Sequence, residues 1–160
     1  MTARPAPEWQ TTTWFNTPTP ITVASLRGRV VMLHAFQMLC PGCVLHGLPQ
    51  AQRVAAAFVD APLTVVGLHT VFEHHAVMGP PALDVFLQED RVRFPVAVDQ
   101  PDSSAAGSPM TMQAYAMRGT PTVVLIDAEG LVRRHVFGSY TDLQLGHDLG
   151  QLIAEAEARS

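Results

Sequence analysis

Apolar residues in this chain gather in short runs separated by polar breaks. The first uninterrupted run is VVMLHAF, Val30 to Phe36, broken only by His34. Its length and β-branched content predict a strand buried on both faces. Over VLHGLPQAQRVAAAFV, Val44 to Val59, the period becomes helical, with Leu45, Leu48, Val54, Ala55 and Phe58 on the inward side. Pro49 falls inside this segment and predicts a kink, because proline has no amide donor and crowds the preceding turn. LTVVGL, Leu63 to Leu68, is a second buried strand. HTVFEHHAVMGPP then reads as a loop, and PALDVFLQED as a helix with Pro81 in its first turn. RFPVAVD is a short strand, QPDSSAAGSP a polar loop and MTMQAYAM a short helix. TPTVVLID and LVRRHVFG are strands joined through AEG as a hairpin. TDLQLGHDLGQLIAEAEA is a terminal amphipathic helix with Thr141 or Asp142 as its cap.

Strands therefore alternate with helices until a hairpin and a last helix close the chain. This predicts an α/β fold, a central mixed sheet flanked by helices. The first 20 residues are rich in Pro and Thr, and the first strand is expected near Val30. Residues 1–20 are read as an extended, loosely packed segment ahead of a single domain, 21–160. Trp9, Trp14 and Phe15 are candidates to anchor that segment over the edge of the core.

Composition narrows the function. The 160 residues suit one domain, with 48% hydrophobic and 15% charged residues and a net charge of −4. With no basic run, neither a nucleic-acid footprint nor an anionic membrane surface is indicated. No apolar run approaches the roughly 20 residues of a membrane-spanning helix. The N-terminus lacks the apolar stretch of a secretory signal. A cytoplasmic location is expected on that reading, or a periplasmic one if a signal has been removed.

Both cysteines of the chain, Cys40 and Cys43, lie in LCPGC, with Pro41 and Gly42 between them. As a structural staple the pair would close too short a loop to stabilise the fold much. As a zinc clamp it supplies two of four ligands, and no second pair exists. His34, His46, His69, His74 and His75 are the histidines that could complete such a set. As a redox couple the pair is well placed, where a buried strand ends and a helix begins. Unpaired amides and partial positive charge at a helix start favour a thiolate. Cys40, on the first turn, is the candidate nucleophile, and Cys43, one turn on and more buried, the resolving thiol. Pro41 fits the first turn, where its missing amide costs nothing.

Strand, CxxC and helix, followed much later by MRGTPTVVLIDAEGLVRRHVFG, resemble a thioredoxin-fold oxidoreductase. The similarity is greatest to the TlpA-like and redoxin (AhpC/TSA-related) branch and covers roughly Trp14 to Ile153. It implies a thioredoxin-like fold with an insertion between the CxxC helix and the cis-proline strand. It implies a cis peptide between Thr120 and Pro121, set against the CxxC, where the preceding backbone pairs with a substrate chain. It also implies a thiol–disulfide oxidoreductase acting on a protein or small-molecule disulfide or thiol, with a separate electron donor. No cofactor and no metal are called for, and a monomer or weak homodimer is expected.

Departures from the family pattern fall at the site. Relatives commonly carry Trp before the first Cys, where this chain has Leu39. His34 stands where thioredoxins carry a buried Asp, and His46 where many TlpA-like proteins carry Glu. Either histidine could handle the proton of Cys43. Two alternatives remain at this point. A peroxiredoxin-like peroxidase needs a Pro-x-x-x-Thr/Ser-x-x-Cys frame, and its two defining places hold Leu33 and Gln37, with Arg118 as the candidate cation. A copper or zinc carrier would use Cys40 and Cys43 with His46 or the cluster His69, Glu73, His74 and His75. Met110, Met112 and Met117 read as core filling.

Overall fold

Strand β3 (Val30–Phe36) is buried along its whole length and organises the rest. It pairs in parallel with β4 (Leu63–His69) and antiparallel with β6 (Thr122–Ile126). Strand β5 (Val96–Asp99) adds to β4, and β7 (Leu131–Phe137) to β6 through the predicted hairpin. In that hairpin Asp127 accepts from the amides of Glu129 and Leu131, and Gly130 takes the left-handed conformation at φ +80°. The structure, a computed structural model, describes residues 3–104 and 107–160; residues 105–106, inside the polar loop read over 100–109, lie outside that description.

The expectation that the first strand begins near Val30 is corrected. Strand β1 (Arg4–Pro5) pairs with β7, and β2 (Thr11–Phe15) pairs with β5. The N-terminal segment thus supplies both edges of a seven-stranded sheet of order β1-β7-β6-β3-β4-β5-β2. It is held there by its aromatics. The indole N–H of Trp9 donates to the Tyr115 hydroxyl at 3.1 Å, and that hydroxyl donates to the Pro7 carbonyl at 2.7 Å. Trp14 packs beside Trp9 on the same face. A Pro- and Thr-rich composition says nothing of such long-range pairings.

Side chains of β3 alternate between two cores. Val30, Met32 and Phe36 join α1 (Leu48–Ala57), α2 (Pro80–Glu89) and α4 (Asp142–Glu157). Val31, Leu33 and Ala35 meet the N-terminal tryptophans and Met112 of α3 (Met110–Ala114), with Tyr115 and Met117 just beyond it. Met112 and Met117 are core residues, as read. Asp99, buried at the end of β5, accepts from the amides of Thr111 and Met112 and so caps α3. Helix α4 is capped by Thr141, whose hydroxyl accepts from the Gln144 amide.

Leu45 is the clear miss among the expected inward positions, being 68% exposed. Residues Cys43–Gly47 form a wide π turn in which the Leu48 amide reaches back to the Cys43 carbonyl. Pro49, without an amide of its own, lies just after this turn, and widening the coil relieves its clash with the turn before it. The extra residue in the turn shifts the phase. Cys43, Gly47, Leu48, Ala51 and Val54 face inward, and Leu45 faces out.

Candidate active site

The end of β3 delivers Cys40 to the start of the helical segment. The Cys40 Sγ lies 3.4 Å from the Cys43 backbone N–H, which points at it, and 3.6 Å from the Thr120 carbonyl oxygen. Cys40 is partly exposed and Cys43 wholly buried, and both are free thiols. Burial, reinforced by the neighbouring Cys40 sulfur, pushes the Cys43 thiol up to about 12. The two sulfurs are therefore unequal. One is reachable and contacted by a helix-start amide; the other stays protonated until something takes its proton.

The Thr120–Pro121 peptide is cis. Its neighbours are held from both sides. Thr122 Oγ1 donates to the Gly119 carbonyl at 2.7 Å, and the Gly138 amide donates to the Pro121 carbonyl at 2.8 Å. Gln37, buried at the end of β3, completes the support. Its amide nitrogen lies 3.4 Å from both Thr120 Oγ1 and Glu73 Oε1, and its oxygen accepts from the Phe72 amide at 3.2 Å. In the sequence Gln37 stands out only as a missing hydroxyl. The available signal was a lone amide side chain closing an apolar run three places before Cys40.

His34 sits at the centre of the sheet, in register with Gly67 and Val123. It is fully buried, stacks on Phe36, and neither ring nitrogen has a hydrogen-bond partner among the described residues. Desolvation lowers its pKa from 6.5 to about 4, so the ring is neutral at pH 7. His46 is exposed on the π turn. Gly47 is what lets the helix approach. A methyl group there would lie 2.7 Å from His34 Cε1 and 3.2 Å from Pro121 Cβ. Gly→Ala inside a helix ordinarily stabilises by about 1 kcal/mol. Here Gly47→Ala is expected to destabilise the protein by about 1–3 kcal/mol, read as a lower denaturant midpoint at unchanged slope.

The expected histidine cluster is not one site, which corrects the reading of HTVFEHH as a single loop. β4 runs on to His69, so that side chain is 1% exposed and its Nε2 accepts from the Met38 amide at 3.1 Å. Burial lowers its pKa to about 4 as well. Glu73, His74 and His75 are exposed on the following loop. Among the described residues, no three His, Cys, Asp or Glu side chains gather closely enough to hold a metal ion. Arg118, the candidate cation of a peroxidase, stacks over the Phe137 ring at 5.6 Å.

Beside the cysteines lies a half-open cavity of about 400 Å³. It reaches the pair at Gly42 and Pro121 and has His34 and Gly47 among its walls. Arg53 and Asp142, ion-paired at 3.2 Å and both mostly exposed, stand at its mouth.

Residues 2–135 match the family model described as the AhpC/TSA family. The protein DipZ of Mycobacterium bovis and of Mycobacterium tuberculosis is 32% identical over 129 residues, which is 79% of this chain and 17% of DipZ. The chain thus spans about 17% of the length of the curated relatives it matches. Among solved structures, a thioredoxin-like superfamily protein is 54% identical with a TM-score of 0.90, over 93% of this chain and 96% of that one. A thiol-disulfide isomerase from Corynebacterium glutamicum is 44% identical with a TM-score of 0.87, over 93% of this chain and 97% of that one.

Proposed function

The chain belongs to the AhpC/TSA family and has a thioredoxin-like fold, and from that premise we propose that it is a thiol–disulfide oxidoreductase acting on protein disulfides. One observation carries the reading: the Cys40 sulfur lies between the Cys43 amide and the Thr120 carbonyl, on a residue that is partly exposed. The Cys40 thiolate attacks one sulfur of the substrate disulfide. The substrate S–S bond breaks, a Cys40–substrate disulfide forms, and one substrate thiolate leaves. Cys43 then loses its proton and attacks Cys40, which releases the second substrate thiolate and leaves a Cys40–Cys43 disulfide. Two electrons pass from the protein to the substrate, and an external dithiol restores the pair.

Pro41 and Gly42 keep the two sulfurs one short turn apart, while Thr120 and Pro121 present the backbone edge along which the substrate chain lies. The resolving step needs a base, because burial holds Cys43 protonated. His34, buried beside Pro121 and Gly47, and His46, exposed on the same turn, are the candidates. If His34→Ala and His46→Ala both leave the pH profile of disulfide reduction unchanged, this assignment fails.

The peroxidase alternative is weaker. Gln37 stands at the place of the hydroxyl that activates peroxide, and its amide is engaged with Thr120, Glu73 and Phe72. The test is turnover of insulin disulfides with dithiothreitol as reductant, beside hydrogen peroxide under the same conditions. Catalytic insulin reduction with peroxide consumption at the background rate is expected. Rapid peroxide turnover without insulin reduction would reverse the assignment.

A further inference from the structure

The cavity next to the redox pair has a floor that none of the described residues satisfies. His34 is fully buried, and both of its ring nitrogens lack partners. Buried polar groups are nearly always paired, so an orphan facing a cavity calls for a ligand. The imidazole is neutral, so it offers one donor and one acceptor. Pro121, Val123, Gly42, Gly47 and Leu45 give part of the wall an apolar character, and His46, Ser139, Tyr140 and Thr141 line the rest. The mouth carries one charge of each sign, Arg53 and Asp142. Gln50 does not serve as a free partner, because its amide nitrogen already donates to the Tyr140 carbonyl at 2.6 Å and to Asp142 Oδ1 at 2.9 Å.

We propose that this cavity is a specificity pocket that takes a carboxamide side chain, Asn or Gln, flanking the cysteine of the substrate chain, with His34 hydrogen-bonded to it at the floor. The proposal rests on the oxidoreductase reading and adds the class of substrate. A carboxamide both donates and accepts, and so pairs with whichever nitrogen of the neutral ring faces the cavity, protonated or bare. A leucine of similar size would leave both nitrogens unpaired. A carboxylate or an ammonium would give up its hydration at a floor that offers only a neutral ring. The position also fits. The cavity borders Gly42 of the redox motif and Pro121 of the cis peptide, within a residue or two of where a substrate cysteine meets Cys40.

The test uses the full chain and a set of short peptide disulfides that differ in one residue, Gln, Leu, Glu or Lys, placed before or after the cysteine. Bis(2-hydroxyethyl) disulfide, which has no side chain to insert, serves as the reference. At one of the two placements the Gln peptide is expected to exceed the others in kcat/KM by at least roughly tenfold. Ser139, exposed on the wall of the cavity, is the place to block it. In Ser139→Trp the Gln-to-Leu ratio should collapse toward one. Equal rates for all peptides, or a ratio that survives Ser139→Trp, would overturn the proposal and mark a cleft filled by solvent only. A wild-type protein inert toward bis(2-hydroxyethyl) disulfide would instead sink the oxidoreductase reading. The pocket is then still decided by the ¹⁵N resonances of the His34 ring on titration with the Gln peptide in its S-methylated form. A saturable shift with Gln and none with Leu supports the pocket; no shift with either removes it.

Discussion

Replacing Cys40 with Ser is expected to abolish insulin reduction, a loss of more than roughly 10³-fold, whereas replacing Cys43 with Ser should leave a protein that stops at the mixed disulfide. The difference follows from the unequal burial of the two sulfurs. Cys40 is partly exposed and contacted by the Cys43 amide, so it can meet a substrate. Cys43 is fully buried and its thiol is pushed up to about 12, so at neutral pH it cannot begin the reaction. Its task comes second, once Cys40 is tied to the substrate. Incubating Cys43→Ser with a peptide disulfide should add one peptide mass, removed by dithiothreitol. Iodoacetamide at pH 7 should label Cys40 alone in the reduced wild-type protein. Primary labelling at Cys43, or full activity in Cys40→Ser, would reverse the roles.

The second large effect concerns stability. His34→Leu is expected to raise the unfolding free energy at pH 7 by about 1–3 kcal/mol, since it removes two buried polar atoms without partners. The gain should grow on acidification. The folded-state pKa of His34 is lowered from 6.5 to about 4 by burial. Between those values the unfolded chain binds a proton that the native protein refuses. Native stability attributable to His34 is therefore complete above about pH 6.5, falls as the pH drops, and levels off below about pH 4. The total loss is on the order of 3 kcal/mol. His69, also lowered to about 4, adds a second proton over the same window. Urea titrations from pH 7 to pH 4.5 should show the wild-type slope against pH reduced by about one proton in His34→Leu. An unchanged slope would mean that His34 titrates normally. The same variant should lose the Gln preference, so the stability gained would come at the expense of selectivity.

Much of the fold was legible because it depends on local pattern. The apolar run at Val30–Phe36 has the length of a buried strand, and the CxxC after it lies where that strand gives way to a helical period. The turn at Asp127–Gly130 and the cap at Thr141 were equally local. Leu45 was misplaced because helical periodicity assumes a constant turn, and Pro49 follows a wide one that shifts the phase. His69 was grouped with His74 and His75 because they are close in sequence. One more residue of strand β4 separated them, turning His69 inward to the Met38 amide.

By itself the sequence determined the alternation of strands and helices and the place of the two cysteines at a strand end. Each of these follows from residue type and short spacing, which act over a few neighbouring positions. Tertiary structure alone decided that residues 4–5 and 11–15 close the two edges of the sheet, since those pairings join positions more than 80 residues apart. It alone set Gln37 between Thr120 and the loop after β4, and opened a cavity over an unpaired His34. A hydrogen-bond partner or a void is a property of groups brought together in space, and no local pattern along the chain encodes which groups those will be.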